Sequence, residues 1–65
     1  MRILVNGAWR ETAGEELATV LSELGYGEAD VATAIHGEFV AAAVRAHTPI
    51  AEGDRIEVLA PMQGG

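Results

Sequence analysis

The residues best suited to chemistry are the last two of the sequence, Gly64 and Gly65. A segment without side chains can enter a narrow channel and present its terminal carboxylate inside another enzyme. A frayed terminus with no chemical role is the alternative explanation for the same residues. Their position at the end of the fold predicted below favours the first interpretation. We therefore expect Gly65 to react, and Met62, Gln63 and Gly64 to thread the channel.

Other catalytic chemistry has few candidates in this sequence. The 65 residues include no cysteine, which excludes disulfides, a thiolate nucleophile and a cysteine-ligated zinc site. All four positive residues are arginine, so Schiff-base chemistry on a lysine is excluded as well. His36 and His47 are far apart in sequence and do not indicate a metal pair. A chain of this length also has no room for an enclosed active site with its own substrate pocket, and we expect no metal site in it.

The charge balance favours a protein partner over nucleic acid. Ten acidic and four basic residues give a formal charge of −6. Such a surface repels phosphate backbones and suits a basic surface on another protein. The apolar run from Ile3 to Val5 is too short for a signal sequence or a membrane span, so we expect a cytoplasmic protein without membrane contact.

Two hairpins are predicted from alternating apolar residues and turn signals. Residues 1–6 and 8–12 form the first, around Asn6-Gly7, a pair typical of a type I′ turn. Residues 31–40 form the second, around His36-Gly37.

A helix is predicted between the hairpins. The spacing of Thr12 and Glu15 matches a capping box, in which a hydroxyl and a carboxylate satisfy the first amides of a helix. Gly25 is expected to end the helix. The apolar stripe that would face the core consists of Leu17, Val20, Leu21 and Leu24.

The order of these elements predicts an α+β fold of the β-grasp type, β-β-α-β-β-β. Residues 41–47 have no clear apolar stripe and are interpreted as an irregular crossover or a short turn of helix. Residues 55–60 form the last strand, which the long connection over the helix allows to lie parallel to the first. The fold would occupy residues 1–60, and residues 61–65 would form a flexible tail.

Several stretches together resemble a known family. Residues 3–7 (ILVNG) and the helix contribute, residues 31–40 (VATAIHGEFV) are similar to a family stretch VAVAxNGxxV, and residues 48–58 (TPIAEGDRIEV) to TPLxxGDxIEIV. Residues 61–65 (PMQGG) match a tail ending in QGG, which is the most specific of these elements. The chain resembles the ThiS-type sulfur carriers, the ubiquitin-like proteins of thiazole formation in thiamine biosynthesis. It departs from them at residues 41–45, where the family often has Pro-Arg and then a tryptophan.

The resemblance implies a carrier that is consumed and recharged and is not itself a catalyst. An ATP-dependent activating enzyme would adenylate Gly65, and a persulfide sulfur donor would convert the adenylate to a thiocarboxylate. The thiocarboxylate would donate its sulfur on a thiazole synthase. ATP and magnesium would belong to the activating enzyme, since this sequence has no P-loop.

A docking surface is predicted beside the tail. Leu4 and Leu59 lie on the polar faces of two strands that should be neighbours, and with Phe39 they would form an apolar spot on the side of the sheet away from the helix. Isolated surface leucines are common and are the alternative. We favour docking, because a short tail needs an adjacent surface to guide it. The sequence does not decide whether Trp9 packs in its hairpin or is an exposed contact.

Three other functions stay open at this point. A carrier of the same class could supply sulfur to molybdopterin or to another pathway, although those relatives are usually longer. A TGS-type β-grasp module of RNA-associated proteins has a similar glycine-aspartate turn before its last strand. A ubiquitin-like tag would use the same tail chemistry with a lysine of another protein as acceptor.

Overall fold

Five short strands, one α-helix and one 3₁₀ helix make up the regular structure in the part of the chain that the structure describes. The computed structural model describes residues 1–27 and 30–60. Its elements in chain order are β1 (Arg2–Val5), β2 (Ala8–Glu11), α1 (Leu17–Glu23), β3 (Ala32–Ile35), β4 (Glu38–Val40), a 3₁₀ helix (Ala42–His47) and β5 (Arg55–Leu59). The order confirms the predicted β-grasp succession, and the 3₁₀ helix occupies the predicted crossover. No helix among the described residues has the length and apolar character needed to cross a membrane.

The first and last strands are parallel neighbours in the middle of the sheet, as predicted. The five strands have the order β2-β1-β5-β3-β4. Leu4 lies opposite Arg55, and Val5 lies opposite Ile56. Strand β3 pairs with β5 in the antiparallel sense on the other side. The strand that continues into residues 61–65 is therefore held from both sides.

Both hairpins have the predicted turn. Type I′ turns require positive φ at two successive residues. Asn6 and Gly7 have φ of 50° and 82°, and His36 and Gly37 have φ of 51° and 84°. Histidine thus takes the conformation that asparagine takes in the first hairpin.

The core lies between one face of the sheet and α1. It contains Ile3, Val5, Ile56 and Val58 from the sheet and Leu17, Val20, Leu21 and Ile50 from the covering layer. Three residues of the predicted stripe are buried, and Leu24 packs against the core while partly exposed. Gly25 ends the helix in a left-handed conformation, as expected. Its N–H donates to Ser22 O, and the N–H of Tyr26 donates to Leu21 O at 2.8 Å.

The predicted capping box is wrong. Helix α1 begins at Leu17, and its N-cap, Glu16, makes no side-chain cap bond in the described structure. The Thr12 hydroxyl is buried and has no hydrogen-bond partner among the described residues. The reason is that other groups satisfy the amides in question: Thr48 O accepts from Leu17 N at 2.8 Å, and the carboxylate of Glu23 accepts from the residues before the helix.

Glu23 joins the last turn of α1 to the segment that leads into the helix. Its oxygens accept from Ala13 N at 2.8 Å and from Gly14 N at 2.5 Å. Gly14 permits this approach, because a Cβ there would lie 2.7 Å from both Glu23 Oε1 and Thr19 Cγ2. The two backbone N–H bonds hold the pKa of the Glu23 carboxyl below its usual value.

Thr12→Val is expected to stabilise the fold, because it removes a buried hydroxyl without a partner and keeps the shape of the side chain. The gain should be about 1 kcal/mol, which raises Tm by about 4–8 °C in a domain this small. Thr33→Val is the matched control: this buried hydroxyl donates to Val40 O at 2.8 Å and accepts from Arg45 Nε at 3.0 Å, so its loss should lower Tm. A lower Tm for Thr12→Val would restore a capping role for Thr12.

Glu23→Gln is expected to weaken the acid sensitivity of the fold. Since the folded pKa of Glu23 lies below the unfolded one, its contribution to stability is present above the ordinary value of 4.5 and is lost as the pH falls through the folded pKa. Urea unfolding of the wild type at several pH values should show this loss below about pH 5, and the variant should show less of it. Equal pH profiles would contradict the assignment.

Candidate functional site

The candidate site lies where β5 leads into the C-terminal segment. The predicted reacting residue Gly65 and the predicted threading residues Met62, Gln63 and Gly64 lie outside the described residues. The structure describes the base from which they extend, through Leu59 at the end of β5 and Ala60 after it.

The end of β5 is bonded to the first hairpin by a side chain. Asn6 Oδ1 accepts from Val58 N at 2.8 Å, and Asn6 Nδ2 donates to Val58 O at 3.0 Å. The backbone N–H of Asn6 also donates to Ile56 O at 3.0 Å. Sequence reasoning assigned Asn6 to the turn alone, because the Asn-Gly signal is local and gives no sign of a partner 52 residues away.

A shallow apolar groove adjoins this base. The residues that line it come from β3, β4, β5, the 3₁₀ helix and their flanks: Asp30, Val31, Ala32, Phe39, Ala42, Arg45, Leu59 and Ala60. Phe39 is 73% exposed and Leu59 is 67% exposed, although both are large and apolar. The structure therefore brings these two predicted docking residues together, next to the residue from which the C-terminal segment continues.

Leu4 shares the outer face of the sheet but lies away from that groove. It is half-buried and lies opposite Arg55 in β5 and Trp9 in β2. Arg55 precedes Leu59 by four residues, which is about 13 Å along a strand. The predicted spot of three residues is thus divided, because the parallel register pairs Leu4 with the beginning of β5 and not with its end.

Trp9 is an exposed residue of the sheet's edge. It is 51% exposed, and the Arg2 guanidinium lies 4.7 Å from the centre of its ring. This distance is that of a cation–π contact. Trp9 therefore covers the Arg2 side chain on the outer face and does not enter the core.

Arg45 fixes the 3₁₀ helix that forms one wall of the groove. Its Nε donates to Thr33 Oγ1 at 3.0 Å, and its Nη2 donates to Val31 O at 2.5 Å. These bonds tie a segment without an apolar stripe to strand β3. No sequence signal indicates this role, since an arginine in such a segment shows neither the direction of its side chain nor its hydrogen-bond partner.

Asp54 caps the turn before β5 and also contacts the second hairpin. Its Oδ2 accepts from Ala51 N at 2.8 Å, and its Oδ1 lies 2.9 Å from His36 Nε2. Partial burial acts to raise the pKa of Asp54, but the Ala51 N–H bond and His36 outweigh it, so the pKa lies below its usual value. His47 lies in the 3₁₀ helix. Within residues 1–27 and 30–60, no group of three or more acidic or histidine side chains is placed to hold a metal ion.

Comparison with known proteins identifies the family. A sequence profile of the ThiS family matches residues 3–65. The chain belongs to the ThiS family. It is accordingly a ubiquitin-like sulfur carrier of the ThiS type, which is a small carrier protein and not a catalyst.

Solved structures of ThiS proteins have the same fold. The crystal structure of a thiamine biosynthesis protein, ThiS, from Geobacter metallireducens superposes with a TM-score of 0.83 at 29% identity, and each chain is covered over 100% of its length. An NMR solution structure of a thiamine biosynthesis protein from the same organism has a TM-score of 0.78 at 28% identity, covering 100% of this chain and 88% of that chain. No curated protein sequence matches the chain significantly.

Proposed function

We propose that this ThiS-type chain carries sulfur on the Gly65 carboxylate for thiazole formation in thiamine biosynthesis. The observation that carries the proposal is the family match, which extends through residue 65 and so includes the terminal Gly64-Gly65 pair. The likeness to proteins of thiamine biosynthesis supports this pathway over molybdopterin formation.

Charging would proceed through an adenylyl transfer, an acyl transfer and a reduction. The Gly65 carboxylate attacks the α-phosphorus of ATP on an activating enzyme, which releases pyrophosphate and leaves an acyl-adenylate. A persulfide then attacks the acyl carbon and displaces AMP, giving an acyl disulfide. A thiol reduces the S–S bond, is itself oxidised to a disulfide, and releases the thiocarboxylate. Sulfur transfer on a thiazole synthase then replaces sulfur by oxygen at the Gly65 carbonyl carbon, so that the chain can be charged again.

In this chemistry, the role of the described fold is to present the reacting end of the chain to the partner enzymes. The central strand β5 is paired on both sides and leads directly toward the reacting end. ATP, magnesium, the persulfide and the sulfur acceptor are supplied by partner enzymes, which suits a small chain without an enclosed site. A residue without a side chain at position 64 suits a narrow channel in those partners.

Gly64→Val tests the threading step. Valine restricts the local backbone and widens the segment one residue before the reacting carboxylate, so a narrow channel should exclude it. We expect an unchanged Tm together with severe loss of adenylation, measured as ATP–pyrophosphate exchange with the activating enzyme. Deletion of Gly65 moves the carboxylate back by about 3.3–3.6 Å and should be at least as damaging. Wild-type exchange by Gly64→Val would contradict a channel that needs glycine.

Intact-mass analysis of the protein from its native host tests the class of function. A carrier shows a gain equal to the exchange of one oxygen for sulfur, and alkylation of the thiocarboxylate sulfur then adds the mass of one alkyl group. A ladder of heavier conjugates would instead indicate a ubiquitin-like tag.

We further propose that the groove formed by Phe39, Leu59 and Ala42 guides docking to the activating enzyme. Its support is the exposure of two large apolar side chains beside Ala60. Large exposed apolar residues that lie together are typical of interaction surfaces. Leu4, the third residue predicted for this surface, lies outside the groove and supplies a test of how far the surface extends.

Leu59→Glu is expected to weaken binding to the activating enzyme by about tenfold or more, since it places a charge in an apolar contact. Its exposure predicts an unchanged Tm. Leu4→Glu is the comparison: on the same face but outside the groove, it should weaken binding less. Affinities of both variants equal to the wild type, measured by calorimetry, would show that this face does not dock.

A further inference from the structure

The Asn6 side chain, in the turn of the first hairpin, continues the hydrogen bonding between β1 and β5. Strand β1 runs beside β5 for two register pairs and then turns away at Asn6-Gly7. A strand that continued would offer Val58 one backbone donor and one acceptor. The Asn6 amide supplies both, at 3.0 and 2.8 Å, although its own backbone already has the positive φ of the turn.

This bond pair reaches further along β5 than the strand pairing does. The β1–β5 register ends at Ile56, and Val58 is two residues closer to the C-terminus. On the opposite side Leu59 lies across from Ala32, so β3 alone holds it. Gly65 is the seventh residue after Val58.

We infer that Asn6 is a positioning residue for sulfur loading, because it holds the end of β5, beyond which the chain continues to Gly65. The inference rests on the proposed function, in which an enzyme must receive the segment in one direction and at one length. Without the Asn6 amide, the end of β5 has partners on one side only and frays. The enzyme then has to order the additional residues when it binds the carrier.

The expected kinetic effect follows from the step at which that ordering occurs. A threaded tail presents the same carboxylate whether or not β5 was frayed beforehand, so kcat of adenylation should stay unchanged. The KM for the carrier should rise, because binding now includes the ordering of the strand end. Two lost hydrogen bonds predict a rise of about tenfold, which corresponds to about 1.4 kcal/mol.

The test compares three variants in ATP–pyrophosphate exchange with the activating enzyme and in amide hydrogen exchange. Asn6→Gly keeps a residue suited to positive φ and removes the amide. Asn6→Asp keeps the turn and the acceptor for Val58 N–H but cannot donate to Val58 O, so its effect should be intermediate. Ile3→Val is the control for stability alone, since it trims a buried side chain of β1 and leaves both Asn6 bonds in place.

Asn6→Gly should raise the KM and speed exchange of the Val58 amide about tenfold, while Ile3→Val lowers Tm with a wild-type KM. A wild-type KM for Asn6→Gly, with the wild-type chain active, overturns the inference but not the proposed function. An equal rise of KM in Ile3→Val also overturns it, because the effect would then be one of general stability. If the wild-type chain is not adenylated, the proposed function fails together with the role of Asn6 in it.

Discussion

The parallel pairing of the first strand with the last is the constraint on which the rest of this small fold depends. Strands β1 and β5 lie side by side at the centre of the sheet, with every other described element between them in sequence. A parallel pair needs a long crossover, and here the crossover includes α1, which covers the apolar side of both strands. Ile3 and Val5 therefore meet Ile56 and Val58 beneath one helix, and these four side chains are half of the eight buried apolar residues of the described core.

Several side chains form hydrogen bonds with backbone groups that are distant in sequence and are not paired within the helices or strand ladders. Glu23 satisfies amides before the helix, Asn6 satisfies Val58, and Arg45 ties the 3₁₀ helix to β3. Each element is only three to seven residues long, so much of the backbone lies in connections that no ladder can satisfy. Buried polar backbone groups need hydrogen-bond partners, and polar side chains supply them while occupying little space. Among the buried side-chain oxygens and nitrogens of the described residues, the Thr12 hydroxyl lacks a hydrogen-bond partner.

Local signals made much of this fold predictable. The two type I′ turns and the apolar stripe of α1 depend on residues close together in sequence, and they were predicted at the correct places. The capping box failed because a carboxylate from the far end of the helix and a carbonyl from Thr48 occupy the amides. The spacing of residues along the chain does not show which groups distant in sequence will accept hydrogen bonds from these amides.

The same distinction applies to the candidate site. The diglycine end and the exposed apolar residues could be read from the sequence. The division of Leu4 from Leu59 could not, because the register of two strands some 50 residues apart is fixed by the packing between them. Asn6 was recognised for its backbone conformation, whereas its amide acts on a strand at the other end of the chain.

The placement of β5 has a mechanical consequence. A pull that reaches the domain through Ala60 along the axis of β5 loads the strand in shear, since its neighbours β1 and β3 lie on either side. Hydrogen bonds roughly perpendicular to a strand resist shear together, whereas a strand peeled from an edge loses them one at a time. An edge strand pulled along its axis would be held by one neighbour only. Because β5 is central, a force applied at the chain's end is resisted by the hydrogen bonds to both neighbouring strands, which favours a domain that stays folded under that force.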